Sequence, residues 1–308
     1  MKDLSVIIPI YDEEGNIPVL FQRLNEVIAK LNVDTEYLFI NDGSGDNSLM
    51  LIKELAAKYP FVKYIAFSRN FGHQVAVMAG IDHSSAKAIV IIDADLQDPP
   101  ELISAMYHKM KEGYDVVYAR RRTRKDKSII KKLAYKFFYR ILSRISSVPI
   151  PLDTGDFRVM SQRVADFLKQ MPEKEKFLRG QIAWIGFNQT FIEYDRDARQ
   201  QGAPGYTYKK LFQLALDGIT SFSNLPLRIA TWAGIIVSGV SFLLILYALY
   251  SRFFLKETTP RGWSSLMISV LFIGGIQLLS IGIIGEYLSR ISNNVRNRPL
   301  YIVEEKNC

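Results

Sequence analysis

The chain has 308 residues, of which 48% are hydrophobic and 23% are charged, and this composition excludes a disordered or collagen-like chain. Its single cysteine, Cys308, cannot form an internal disulfide, which agrees with a reducing compartment. The formal net charge is +8, yet residues 120–144 alone contain eleven Lys or Arg against one Asp, so the positive charge is concentrated in one segment.

The first 120 residues alternate short β-branched runs with amphipathic helical patterns. One helical pattern begins at Ile17 and repeats apolar residues at α-helical spacing, and another begins at Asp98 with prolines in its first turn. Alternation of this kind predicts an α/β fold with a mostly parallel sheet that is covered on both faces. The predicted strands are residues 4–10, 37–40, 62–67, 88–92 and 116–118.

Polar side chains follow each of the first four predicted strands. Ligands of parallel sheets bind at the carboxyl ends of the strands, so these side chains predict a binding site at one edge. No GxGxxG or GxxxxGK[ST] motif is present, which argues against dinucleotide-binding and P-loop sites. Asp93 and Asp95 can direct two carboxylates at a divalent cation that also binds phosphate oxygens, although a strand end and a turn cap explain the same pair. The residues at these strand ends are Pro9, Tyr11, Asp12, Glu13 and Glu14; Asn41, Asp42, Gly43 and Ser44; Ser68, Arg69 and Asn70; and Asp93, Asp95, Gln97 and Asp98.

Residues 127–146 repeat aliphatic and aromatic residues at helical spacing, with Lys and Arg between them. This pattern predicts an amphipathic helix that lies on anionic lipid headgroups. A nucleic-acid partner is less plausible beside so wide an apolar face, and an ordinary helix that covers the sheet is the remaining alternative. A second interfacial stretch is predicted near residues 208–224.

Residues 229–251 and 263–285 are two 23-residue runs without Asp, Glu, Lys or Arg. A helix of that length reaches about 34 Å and can cross a hydrocarbon core of about 30 Å. The runs predict two transmembrane helices rather than two buried helices of a soluble fold. Since the apolar run 4–10 is too short for a signal peptide, we expect residues 1–228 and the tail 290–308 in the cytosol, although basic residues in the loop between the runs oppose this orientation.

Several longer segments together resemble a family 2 glycosyltransferase of the nucleotide-binding GT-A type. The resemblance extends over nearly the whole chain and is strongest to polyisoprenyl-phosphate glycosyltransferases, a subgroup similar to dolichol-phosphate mannose synthases and bacterial bactoprenol glucosyltransferases. The segments that carry it are SVIIPIYDEEGNI (5–17), NDGSGDNS (41–48), FSRNFGHQVAVMAG (67–80), IDADLQDPPEL (92–102), EGYDVVYARR (112–121), DTGDFRVM (153–160), FLRGQIAWIGF (177–187) and LDGITSFSNLPLR (216–228).

The resemblance implies a nucleotide-sugar donor and a divalent metal, Mg²⁺ or Mn²⁺, on its diphosphate. The metal offsets the negative charge that accumulates on the departing nucleoside diphosphate. Asn41 departs from the acidic pair that is usual before Gly-Ser, so the identity of the base is less well defined. The implied donor residues are Pro9, Tyr11 and Glu13 around base and ribose, Asp42 on the base, and Asp93, Asp95 and Gln97 around ribose and metal.

The acceptor side requires cations where the membrane and the active site meet. Asp156, in the DTGDFR segment, is the candidate base or acceptor-positioning group, and it could equally anchor Arg158; Asp95 is the second candidate catalytic residue, through the metal. The three histidines share no ligand spacing and are interpreted as structural. The candidate phosphate-binding cations are Arg120, Arg122, Lys131 and Lys132 for the acceptor, and Arg196 and Arg199 in a loop over the diphosphate, where Pro204 and Gly205 replace the usual Ser-Lys.

Residues and resemblance together predict a multi-pass enzyme of the cytoplasmic membrane. It is expected to move one hexose, from a UDP-sugar or from GDP-mannose, to undecaprenyl phosphate with inversion at the anomeric carbon. The resemblance also implies a homo-oligomer. The alternatives are a transferase for an amino- or deoxy-sugar in lipid A or wall modification, and a non-catalytic nucleotide-binding membrane scaffold.

Overall fold

A computed structural model describes residues 1–122, 154–195, 225–250 and 262–308. The predicted interfacial helices near 127–146 and 208–224 lie outside these residues, as do Lys131, Lys132, Arg196 and Arg199. The described residues divide into two units. One contains residues 1–122, 154–195 and 298–308, and the other contains two long helices between residues 225 and 297.

The first unit is built on an eight-stranded sheet with the order β7-β5-β6-β4-β1-β2-β3-β8. β6 and β8 run opposite to the other six strands, so the predicted mostly parallel sheet of an α/β fold is confirmed. The strands are β1 (Leu4–Ile10), β2 (Thr35–Asn41), β3 (Val62–Phe67), β4 (Ala88–Ile91), β5 (Val116–Arg121), β6 (Thr154–Ser161), β7 (Gln189–Tyr194) and β8 (Val303–Lys306).

Six helices of this unit cover the two faces of the sheet. Successive residues of β1 point to opposite faces, so Val6 and Ile8 join one core cluster whereas Ile7 joins the other. Because both faces are buried, the central strands are almost continuously apolar. The helices are α1 (Ile17–Leu31), α2 (Ser48–Lys58), α3 (His73–His83), α4 (Leu102–Lys111), α5 (Gln162–Gln170) and α6 (Leu178–Ile185).

The end of the predicted cytosolic tail forms β8, which pairs antiparallel with β3 at the edge of the sheet. The Tyr301 ring stacks on Phe67 with 5.0 Å between centroids, and the Tyr301 hydroxyl donates to Asp82 of α3 at 3.2 Å. The backbone N–H of Tyr64 donates to the side-chain oxygen of Asn307 at 2.6 Å. Residues 301–307 are therefore part of the fold of the first unit.

The second unit contains α7 (Leu225–Tyr250) and α8 (Trp263–Val295). Within α8, Phe272–Val295 is long and apolar enough to cross a bilayer, with a mean hydropathy of 1.4. Among the described residues of α7, Ala230–Val240 is a shorter apolar run. The helix continues past the predicted end of the second span at residue 285, where Glu286 and Arg290 form an i,i+4 pair. That both helices cross a membrane stays a prediction.

Candidate active site

The loops after β1 and β2 are joined by reciprocal hydrogen bonds into one wall of the candidate site. The backbone N–H of Asp12 donates to Ser44 Oγ at 3.1 Å, and the N–H of Gly45 donates back to Asp12 Oδ1 at 2.7 Å. A second pair of residues continues the contact, because the N–H of Glu14 donates to Asp46 Oδ2 at 3.1 Å. These bonds hold Asp12 in the left-handed region, with φ of +53°.

The predicted base- and ribose-binding residues lie on or beside this wall. Pro9 is buried near the end of β1, and the Tyr11 side chain is exposed. Glu13 is half-buried, and its backbone N–H donates to Ser48 Oγ at 3.0 Å. A fixed loop with an exposed aromatic ring is suited to stacking on a nucleobase.

Asp42, at the end of β2, fixes the loop that leads into α3. Its buried carboxylate accepts hydrogen bonds from the backbone N–H groups of Phe71 at 2.6 Å and Gly72 at 2.9 Å. Burial raises the pKa of Asp42 above its usual value, and the two N–H groups oppose that shift. Contact between Asp42 and a base stays a prediction, but the structure gives this carboxylate a second role in placing the first residues of α3.

Asp93 and Asp95 lie just past β4, as the sequence predicted. Asp93 Oδ1 is buried without a hydrogen-bond partner in the part of the chain that is described. Asp95 Oδ1 accepts from the backbone N–H of Gln97 at 3.1 Å, across a turn in which Leu96 has φ of +57°. Burial raises the pKa of Asp93 to about 6, and the nearby His73 opposes the shift.

The two carboxylates fit a metal that arrives with the diphosphate. Among the described residues, no three His, Cys, Asp or Glu side chains converge as a metal cage. Mg²⁺ commonly uses only one or two protein carboxylates and completes its coordination with phosphate oxygens and water. The buried Oδ1 of Asp93, which accepts no hydrogen bond among the described residues, and the carboxylate of Asp95 meet that requirement.

Asp156, on β6, is held by three side chains. The guanidinium of Arg179, from α6, donates to both of its oxygens, at 3.0 and 3.1 Å. Arg158 Nη2 donates to Asp156 Oδ1 at 3.0 Å, and Gln74 Nε2 donates to Oδ2 at 3.4 Å. Burial alone raises the pKa of Asp156, but Arg179, His73 and Arg158 together hold that pKa well below its usual range. The geometry therefore favours the positioning alternative for Asp156 over the base.

His73, interpreted from the sequence as structural, lies between the two halves of the site. Its Nε2 atom is 3.5 Å from Asp93 Oδ1 and 3.5 Å from Asp156 Oδ2. Burial disfavours the charged ring, but the two carboxylates outweigh burial and raise the pKa of His73 to about 9. The sequence contained one signal that His73 belongs to the site, because it begins α3, shortly after the polar end of β3. The next residue of α3, Gln74, donates a hydrogen bond to Asp156.

The arginines at the end of β5 point in alternate directions. The guanidinium of Arg120 lies 3.4 Å from the centroid of the Phe191 ring and pairs with Glu193, and Arg122 lies 3.8 Å from the same carboxylate. Arg121, which sequence reasoning did not select, instead lies 3.7 Å from the buried Asp98. A strand places neighbouring side chains on opposite faces, so consecutive arginines cannot all reach one site.

The comparison with known families identifies the class of this protein. Residues 5–168 match the family described as Glycosyl transferase family 2, and residues 225–291 match the one described as GtrB C-terminal hairpin. The chain belongs to glycosyl transferase family 2, which confirms the resemblance found in the sequence.

Individual relatives extend over almost the full chain. The glycosyltransferase YkcC of Bacillus subtilis is 49% identical over 301 residues, which cover 98% of this chain and 93% of that protein. The bactoprenol glucosyl transferase of Shigella phage SfII is 39% identical over 307 residues, which cover 98% and 97%. Among solved structures, glucosyl-3-phosphoglycerate synthase from Mycobacterium tuberculosis aligns with a TM-score of 0.47 and 17% identity, over 71% of this chain and 76% of that one.

Proposed function

We propose that this protein transfers a single hexose from a nucleotide sugar, with UDP favoured as the nucleotide, to a polyprenyl phosphate such as undecaprenyl phosphate. The observation that carries the proposal is the meeting of Asp93 with the Asp156–Arg179 pair on the two sides of His73. One side is suited to a metal-bound diphosphate and the other to a phosphate acceptor. The names of the bactoprenol glucosyl transferases that match this chain throughout support the same acceptor.

On the donor side, Tyr11 and Glu13 bind the base and ribose together with Pro9 and Asp42. Asp93 and Asp95, with Gln97 as a further ligand, hold Mg²⁺ or Mn²⁺ on the diphosphate. When bound, the metal stabilises the negative charge of the leaving nucleoside diphosphate. The hydrogen bonds between the β1 and β2 loops support this assignment, because they fix the wall before the donor arrives.

On the acceptor side, the nucleophile is a phosphate oxygen. A phosphate monoester has a second pKa of about 6, so the attacking oxygen is already ionised near neutral pH and a strong base is unnecessary. The lowered pKa of Asp156 agrees with this chemistry, because a weakly basic carboxylate orients Arg158 and Arg179 better than it accepts a proton. Direct attack by this oxygen on the anomeric carbon inverts the configuration.

Arg121 and Arg179 join Arg120 and Arg122 as proposed cations of the acceptor side. Arg121 lies beside Asp98 and Arg179 binds Asp156, whereas Arg120 and Arg122 lie beside Glu193 of β7. Lys131 and Lys132 remain proposed contacts of the acceptor phosphate, and Arg196 and Arg199 remain proposed contacts of the diphosphate.

The hairpin formed by α7 and α8 anchors the enzyme in the cytoplasmic membrane, with the catalytic unit in the cytosol. The sheet contains strands that precede residue 225 and a strand that follows residue 297, so both ends of the hairpin lie on the same side of any bilayer. The number of crossings is therefore even, which supports the two predicted spans. Assembly as a homo-oligomer stays a prediction.

The test is the transfer of radiolabel from a panel of UDP- and GDP-sugars to undecaprenyl phosphate by detergent-purified protein, with Mn²⁺, with Mg²⁺ and with EDTA. A metal-dependent product that extracts into organic solvent establishes the reaction and identifies the donor. If the protein binds UDP but yields no lipid-linked product from any donor, the proposal fails in favour of a nucleotide-binding scaffold or an unusual modified sugar.

A further inference from the structure

A tyrosine, an aspartate and an arginine form a buried group beside the acceptor side of the site. Tyr194, the last residue of β7, donates its hydroxyl proton to Oδ1 of the fully buried Asp98. The same hydroxyl accepts a hydrogen bond from Arg121 Nε at 3.2 Å, and Arg121 Nη2 lies 3.7 Å from Asp98 Oδ1. The Tyr194 hydroxyl is thus both a donor and an acceptor, and it links the carboxylate to the guanidinium.

The arrangement fixes one edge of the Arg121 guanidinium and leaves another edge available. Burial, reinforced by Asp98, raises the pKa of Tyr194, so the hydroxyl keeps the proton that it donates. Arg121 Nη1 has no hydrogen-bond partner among residues 1–122 and 154–195, and the side chain is 18% exposed. A guanidinium held in this way can present fixed donors to a phosphate at a small cost in side-chain entropy.

Gly155 provides the space in which this guanidinium lies. A Cβ atom at Gly155 would lie 3.0 Å from Arg121 Nη2 and 3.7 Å from Asp98 Oδ2. Gly155 immediately precedes Asp156 in β6, and Arg179 is close enough for its charge to act on the pKa of Arg121. Two arginines are therefore placed around the same stretch of β6.

We infer that Tyr194 is a positioning residue that holds Arg121 in place, together with Asp98, to bind the phosphate of the acceptor. The inference rests on the proposed function and adds to it a residue outside the predicted site. Asp98 follows Gln97 directly in the sequence, so the group also connects the loop of the proposed metal ligands to the acceptor cation.

The decisive variant is Tyr194→Phe, which keeps the ring and removes only the hydroxyl. The matched control is Tyr118→Phe, because Tyr118 is also a buried tyrosine of this sheet and its hydroxyl donates to Gln189 at 2.7 Å, not to Asp98. Loss of a hydrogen bond to a charged group predicts a rise of about tenfold in the KM for undecaprenyl phosphate in Tyr194→Phe. The KM for the nucleotide sugar and kcat stay within about twofold, and the control resembles the wild type.

A second readout does not depend on turnover. Equilibrium binding of farnesyl phosphate, with farnesol as the matched lipid without phosphate, reports the phosphate contact directly. The wild type is expected to prefer farnesyl phosphate, and Tyr194→Phe is expected to lose most of that preference. If Tyr194→Phe does not fold, Gly155→Ala is the second variant, because its Cβ would lie 3.0 Å from Arg121 Nη2 and displace the same guanidinium, with the same selective loss expected.

The possible failures are distinguishable. A wild-type protein that transfers no sugar contradicts the proposed function, and the binding comparison still tests the inference. Tyr194→Phe that transfers sugar and binds farnesyl phosphate like the wild type overturns the inference and leaves the proposed function intact. Equal wild-type affinities for farnesyl phosphate and farnesol overturn it as well, as does an equal rise in the two KM values.

Discussion

Replacement of Gly43 by alanine tests how the site is assembled. Gly43 has φ of +68°, and a Cβ atom there would lie 2.4 Å from the carbonyl carbon of Arg69 and 2.6 Å from the nitrogen of Asn70. Ordinary contact for a Cβ begins at 3.4 Å, so the backbone of the next loop must retreat by about 1 Å. The left-handed conformation alone costs alanine about 1–2 kcal/mol. With the overlap added, we expect Gly43→Ala to lose about 2–4 kcal/mol of stability.

The same displacement should weaken donor binding, because the loop after Asn70 donates the N–H groups of Phe71 and Gly72 to Asp42, the proposed base-binding carboxylate. The measurements are thermal unfolding in detergent, in which Tm should fall by about 5–10 °C, and calorimetric binding of UDP with Mn²⁺. Gly45→Ala is the matched control, since its Cβ would meet only Asp12 Oδ1, at 3.9 Å. If Gly43→Ala unfolds at the same temperature as Gly45→Ala and binds UDP equally well, the argument from loop packing is wrong.

Three further predictions concern the metal, the bridge between the two carboxylates, and the edge of the sheet. Asp95→Ala should abolish Mn²⁺-dependent transfer and the Mn²⁺-dependent part of UDP binding, while extraction from membranes still requires detergent; retained transfer contradicts the metal assignment. His73→Gln removes the ring between Asp93 and Asp156, so kcat should fall about tenfold or more with little change in UDP affinity. If kcat is unchanged, His73 has only the structural role that the sequence suggested. Deletion of residues 299–308 exposes the edge of β3, so light scattering should show aggregation that the point variant Lys306→Ala does not show.

Much of the fold could be predicted from the sequence because the central strands are buried on both faces. β1 and β4 are continuous apolar runs, and such runs separated by helical patterns are recognisable without tertiary information. Three strands, β6, β7 and β8, were not predicted, and for β6 and β8 the reason is the opposite one. β6 contains Asp156 and Arg158, and β8 has the sequence Val-Glu-Glu-Lys, so neither shows the pattern of a buried strand.

From the sequence, only those residues of the candidate site could be predicted that follow from local patterns. Polar residues at strand ends located Asp42 and Asp93, because every parallel strand delivers its carboxyl end to the same edge. The choice among three consecutive arginines depended on where β5 ends. The sequence placed that end at Tyr118, whereas the strand continues to Arg121, and alternation along the added residues turns Arg121 toward Asp98.

The part of the site that the sequence did not predict depends on contacts between residues that are far apart in the chain. The role of Asp156 depends on Arg179, which lies 23 residues further along the chain, and on Gln74, which lies 82 residues earlier. No local pattern reports such pairs. The sequence therefore left Asp156 open between a base and a positioning group, and the partners that favour the positioning role became visible only in the folded chain.

The return of the chain to the edge of the sheet makes the α7–α8 hairpin an insertion within the sequence of the first unit. β8 is synthesised after both long helices, so β3 cannot pair with β8 until the hairpin has been synthesised. A soluble fragment that stops before residue 225 lacks this edge strand and leaves a row of unpaired backbone groups exposed. A soluble form of the enzyme should therefore be built by excision, with a flexible linker that replaces the hairpin and leads directly into residues 298–308.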